Sequence, residues 1–100
     1  MKIKDKKTSN IFTVYGIYWQ DNKTYFYCFP KNSVGLTSYR EDDVEIIDPT
    51  IDTDFEYVIT YQDTGGIFHR HLLTDKLMDE LLEHDPVAYK KFVSLIGNEP

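Results

Sequence analysis

Residues 11–19, Ile-Phe-Thr-Val-Tyr-Gly-Ile-Tyr-Trp, limit the available folds more than any other stretch of this chain. β-Branched and aromatic residues dominate it, and such side chains suit a pleated surface. At period two, Ile11, Thr13, Tyr15, Ile17 and Trp19 fall on one side and Phe12, Val14 and Tyr18 on the other. The stretch therefore reads as a strand that is apolar on both faces. Gln20, Asp21, Asn22 and Lys23 bring turn chemistry, and Thr24–Phe29 returns as a second aromatic strand, predicting a hairpin with a four-residue connection.

Further strand signals follow. Pro30–Ser33 breaks the second strand, and Val34–Tyr39 reads as a third, with Gly35 at a bulge or close approach. Val44–Ile47 is a brief fourth strand, ended by Asp48 and Pro49. Phe55–Tyr61 alternates as a strand with one wetter face, Gln62–Gly66 is a turn by composition, and Ile67–Leu72 is a sixth strand. From Thr74 the period changes. Leu77, Met78, Leu81 and Leu82 recur at helical spacing behind Thr74 or Asp75 as cap. Asp85 and Pro86 then open a second helix whose apolar face is Ala88, Tyr89, Phe92, Val93 and Ile96, with Gly97 as its stop.

The expected fold class is α+β: a curved antiparallel β-meander or small SH3-like barrel of about five to six strands, followed by two short C-terminal helices that close over it. One hundred residues suit a single domain over 1–100, with a flexible basic arm at 1–9, the antiparallel sheet at 11–72 and a helical hairpin at 74–97. The arm is expected because Lys2, Lys4, Lys6 and Lys7 crowd a segment with little apolar content.

Charge carries the functional information. Residues 41–56 hold Glu41, Asp42, Asp43, Glu45, Asp48, Asp52, Asp54 and Glu56 and no Lys or Arg. That segment has a formal charge of -8 while the chain as a whole has -6, leaving +2 for the remainder. Val44, Ile46, Ile47, Ile51 and Phe55 interleave the acids and are expected to anchor them to the core, which makes a fixed anionic surface rather than a solvated tail. Carboxylates held together repel one another, and a basic partner would relieve that repulsion; the other reading is that they are simply solvated loop and edge-strand residues, some of them protecting an edge from aggregation. Trp19, Tyr18, Tyr25 and Tyr39 are the aromatic candidates for anchoring such a partner. A pI near 4.9 argues against a nucleic-acid ligand, whose phosphates demand clustered Lys and Arg.

Signals for chemistry are sparse. His69 and His71, two residues apart on an expected strand, would point to one face, where they could share a metal or act as an acid and base pair. A metal needs a third ligand, and only His84 and scattered carboxylates are on offer, so neither metal nor other cofactor is expected. Asp52–Glu56 alternates acids, but Tyr57 stands where a calcium loop needs its glycine. Glycine-rich phosphate loops and a G-x-S-x-G elbow are both absent from the sequence. Cys28, the lone cysteine, lies in an aromatic run and reads as a small buried hydrophobe. With no secretory h-region or membrane-length apolar run, a soluble, cytoplasmic protein that does not engage membranes is expected.

A small, acidic, aromatic-rich α+β chain without catalytic residues resembles the bacterial immunity proteins and inhibitors that neutralise a toxin by blocking its active site. The resemblance implies a non-enzymatic module that binds a basic, toxin- or nuclease-like protein. Here the implied surface comprises Glu41, Asp42, Asp43, Glu45, Asp48, Asp52, Asp54 and Glu56 with Trp19, Tyr25 and Tyr39. Two other readings stay open: a small hydrolase or metal-dependent enzyme using His69 and His71, and a structural or adaptor module of a phage or secretion assembly, which could self-associate as a homodimer.

Overall fold

The apolar strand is the hub of the architecture. In a computed structural model, which describes residues 1–59 and 65–100, it runs from Ile11 to Gln20 as β2. Before it comes β1 (Lys2–Asp5), and after it β3 (Lys23–Cys28), β4 (Thr37–Arg40), β5 (Val44–Asp48), β6 (Phe55–Ile59) and β7 (Gly65–His69). All pairings are antiparallel. One edge of β2 carries β3 along most of its length, and β4 follows β3. The other edge is divided: β1 takes Ile11–Thr13 and is followed outward by β5, while β7 takes Gly16–Tyr18 and is followed by β6. Among the described residues the sheet thus has seven strands and forks at β2, and it does not close into an SH3-like barrel.

The fork is built around an irregularity. Val14 pairs with Cys28 and Gly16 with Tyr27, which leaves Tyr15 without an opposite residue. Such a bulge bends its strand and re-aims one side chain. Tyr15 joins a cluster with Phe29, Leu36, Leu72, Leu77, Leu81, Ala88 and Phe92, while Val14 and Ile17 join Ile3, Phe12, Phe26, Cys28 and Val44 in a second cluster. One strand therefore supplies both cores.

The helices seal the first cluster. The helix α1 (Leu77–Leu82) is less than two turns long and buries Leu77 and Leu81. Its start has no side-chain cap; the backbone N–H of Leu77 bonds instead to the carbonyl of Thr74, so neither Thr74 nor Asp75 plays the expected role. The helix α2 (Pro86–Ile96) begins and ends as its sequence predicts: Asp85 Oδ1 accepts from the Val87 N–H at 2.9 Å, Pro86 opens the first turn, and Gly97 ends it at φ 84°. Leu36 donates its N–H to the Leu81 carbonyl at 3.0 Å, and the His84 ring lies against Gly35 with no room for a β-carbon. These contacts tie the β3–β4 loop to the helices.

Several boundaries differ from expectation, each for a local reason. The β2–β3 loop is a two-residue turn, because Asp21 and Asn22 both adopt positive φ (53° and 63°), as a tight hairpin requires. The 1–9 segment is no flexible arm. Residues Lys2–Asp5 form an interior strand between β2 and β5, and Ile3 is completely buried. Asp5 closes its turn by accepting from the Lys7 N–H and the Thr8 hydroxyl. The third strand starts at Thr37 rather than Val34, and β7 ends at His69, where Arg70–Leu73 winds into a 3-10 turn that buries Leu72. Gly65 and Gly66, expected in a turn, belong to β7; the rest of that expected turn and the end of the strand before it, residues 60–64, lie outside the described residues. Among the described residues, no helix is long and apolar enough to cross a membrane.

The two glycines of the β2–β7 pair make room for one ring. A β-carbon on Gly66 would stand 2.5 Å from the Phe68 ring and 2.9 Å from the Ile17 carbonyl oxygen, and one on Gly16 would stand 2.8 Å from Phe68. Since Ile17 O is backbone and Phe68 is buried, neither can yield cheaply. Gly66→Ala is expected to lower stability by about 1–3 kcal/mol. Thermal unfolding followed by circular dichroism should show a Tm loss of at least about 4 °C.

Candidate functional site

Five of the eight acids are already engaged by the fold. Glu41, Asp42 and Asp43 form a 3-10 turn between β4 and β5. The Asp42 carboxylate lies 3.8 Å from Lys23 and 3.7 Å from Arg40, its carbonyl accepts from Lys6 Nζ at 3.1 Å, and Glu41 accepts from the Thr24 N–H. Asp48 accepts from the Thr50 N–H at 3.0 Å; that bond, aided by the N-terminal ammonium and Lys2, holds its carboxyl below the ordinary range. Asp52 accepts from the Asp54 N–H, and Asp54 pairs with Arg70 at 3.5 Å. These are solvent-exposed interactions, screened by water and salt, and they fix the loops more than they stabilise the fold.

Asp43, Glu45 and Glu56 are exposed, and among the described residues no side-chain hydrogen bond or ion pair engages them. Glu45 and Asp48 sit on β5 directly across from Lys4 and Lys2 of β1. The lysines expected in a mobile arm therefore flank the acids as cross-strand neighbours of opposite sign.

Of the apolar residues among the acids, the three isoleucines do not behave as anchors. Only Val44 is buried and Phe55 is half-buried; Ile46, Ile47 and Ile51 are 49%, 43% and 41% exposed. The reason is topological. β5 is the outermost strand beyond β1, so Ile46 has a core neighbour on one side only, and a bulge opposite Lys2 and Ile3 puts Ile47 out of register. Three aliphatic side chains thus stand at the surface beside Glu45, Asp48 and Asp52, a feature that sequence periodicity does not reveal.

The aromatic candidates separate. Tyr39 stacks on Phe12 at 5.2 Å and is half-buried; with Asp42, Asp43, Asp5, Lys6 and Lys7 it lines an open groove of mixed charge. Tyr25 stacks on Tyr18 at 4.9 Å on the opposite face of the sheet, where the Tyr18 hydroxyl also meets Ser38 at 2.9 Å. Trp19 is exposed near the β2–β3 turn. The structure brings Tyr39 to the acids of the 3-10 turn and places Tyr25 on another side of the sheet.

His69 and His71 remain close although they do not share a strand face. Their rings are 5.3 Å apart across the β7 end, and the His71 N–H donates to His69 Nδ1 at 3.2 Å. In the neutral ring this leaves the proton on Nε2. His69 packs against Tyr15, Phe55 and Phe92, and burial, with His71 beside it, lowers its pKa from the ordinary 6.5 despite the opposing pull of Asp54 and Asp52. His84 is remote in role, lying over Gly35. Among the described residues no three His, Cys, Asp or Glu side chains are placed to hold a metal. Cys28 is fully buried, and desolvation pushes its thiol up to about 12, as befits a packing residue.

No family model, curated protein or solved structure matches this chain.

The lowered His69 pKa has a definite sign in stability. The unfolded chain binds the proton more readily, so His69 contributes its full share above pH about 6.5 and loses it as pH falls towards the folded value. The Tm should fall on going from about pH 7.5 to about pH 5, and His69→Phe, which keeps the packing but cannot titrate, should flatten that slope. Equal slopes in the two proteins would exclude His69 as the source.

Proposed function

We propose that this protein is a non-catalytic binding module that neutralises a basic protein, in the manner of an immunity protein or inhibitor acting on a nuclease-like target. The observation that supports this reading best is the exposure of Ile46, Ile47 and Ile51 among the acids of β5 and the loop after it. A surface that is only solvated has no use for three exposed aliphatic side chains so close in sequence, whereas a protein-binding surface combines apolar area for affinity with charge for steering and register. Asp43, Glu45 and Asp52, all exposed, lie on β5 or in the segments that flank it and carry the same sign, so they draw a cationic surface towards this part of the sheet. Tyr39 and the 3-10 turn extend the surface on one side.

Such a partner would be captured at low ionic strength and released as salt screens the charges. The informative variant is Asp43→Asn/Glu45→Gln/Asp52→Asn, because it spares the ion pairs of Asp42 and Asp54. Wild type should retain a basic protein from lysate at about 50 mM salt and shed it at about 500 mM, with the variant associating at least about tenfold more slowly. Capture that ignores both the salt and the three substitutions would overturn the reading.

A further inference from the structure

We propose that the free edge of β5 is a strand-addition site that takes an extended partner segment of alternating basic and apolar residues. The inference rests on the binding function proposed above and specifies its geometry. β5 ends the sheet on this side, and beyond it no further strand is paired among the described residues. Its residues continue rows of side chains that begin on β2. On the core face the row is Phe12, Ile3 and Ile46, with exposures of 7%, 0% and 49%. On the outer face Ile11, Lys4 and Glu45 form a second row, and Thr13, Lys2 and Asp48 a third.

The core-face row ends on β5 half uncovered, and each outer row ends there on an acid whose far side is open. Ile46 is half uncovered at the end of a row that is otherwise buried, so the next strand would place an apolar residue beside it. Glu45 and Asp48 already have lysines across the β1 side, so the next strand would place basic residues beside them on the same outer face. Alternation follows from the pleat: two basic positions face outward with an apolar position between them facing the core. β1, reading Lys-Ile-Lys from Lys2 to Lys4, is a strand of this kind bound to the other edge of β5. The sheet therefore contains its own example of the sequence it would accept.

The same charges select against other occupants. Two copies of β5 pairing edge to edge would set acids against acids, which disfavours self-association by this edge. A neutral or acidic strand would meet the backbone donors and acceptors but not the charge. Main-chain bonds would supply affinity, and the alternating side chains would supply specificity.

A capped peptide reading Lys-Val-Lys-Ile-Lys-Val-Lys tests this directly, together with two versions N-methylated on alternate amides. Only one edge of an added strand bonds to β5, so one methylated version should bind at least about tenfold more weakly while the other stays within about twofold of the parent. Amide shifts and slowed hydrogen exchange should concentrate at residues 44–48, and Glu45→Lys, shown folded by circular dichroism, should weaken the parent peptide. Equal binding by both methylated versions would overturn strand addition and leave the charge-steered binding function standing. Absence of binding by all three peptides would also overturn it. Salt-insensitive protein capture, measured separately with the triple acid variant, would instead remove the binding function itself.

Discussion

The bulge at Tyr15 is the constraint on which the rest of the structure depends. A regular β2 would send its side chains alternately to two faces along its whole length, and the two halves of the strand would serve the same layers. Losing register between Val14 and Gly16 turns Tyr15 towards Phe29 and Phe92, while Val14 and Ile17 stay with Phe26 and Cys28. The bend also divides the free edge of β2 into two docking lengths, one for β1 and one for β7. Seven strands and two helices can then enclose two small cores without closing a barrel. Gly16, next to the bulge, keeps the space that the Phe68 ring occupies.

Charge is distributed by the same topology. The -8 of residues 41–56 looks unbalanced in sequence, yet the fold returns the chain's N-terminal lysines to its side: Lys2 and Lys4 across from Asp48 and Glu45, and Lys6 bonded to Asp42. Lys23, Arg40 and Arg70 come from elsewhere to Asp42 and Asp54. The repulsion that would strain a contiguous acidic patch is thereby divided among several exposed, individually weak contacts. Among the described residues, Asp43 in the 3-10 turn and Glu56 on β6 keep neither an ion pair nor a cross-strand lysine, so the local field belongs to a few identifiable residues rather than to the whole segment.

Where local chemistry decides a feature, the sequence was a sound guide. The hairpin between β2 and β3, the Asp85–Pro86 start of α2 and its Gly97 stop each depend on residues within a few positions of one another. Tertiary placement was less legible. β1 has one fully buried side chain, Ile3, among lysines, and nothing local distinguishes such a strand from a solvated arm until its two neighbours are known. Ile46 and Ile47 presented the reverse problem: β-branched residues beside buried Val44 read as core, but burial depends on a neighbour strand that the described sheet does not provide. Period-two spacing predicts His69 and His71 on one strand face, but the chain turns at His69, with the His71 N–H reaching back to its ring.

An edge strand that leaves aliphatic residues open must avoid pairing with itself, and the usual devices are charge, brevity and bulges. β5 has all three: five residues, Glu45 and Asp48, and an irregularity at Ile47. Had protection been the sole requirement, a lysine in place of Ile46 would serve it better, since a charged residue there would also remove the exposed apolar surface. On the strand-addition proposal, retaining Ile46 at the end of the Phe12–Ile3 row while charging the other face would give an edge that rejects its own copy and favours a strand of opposite charge. Selectivity of this kind is a difference between two pairings, and it comes from acids that repel one candidate as much as from the isoleucine that attracts the other.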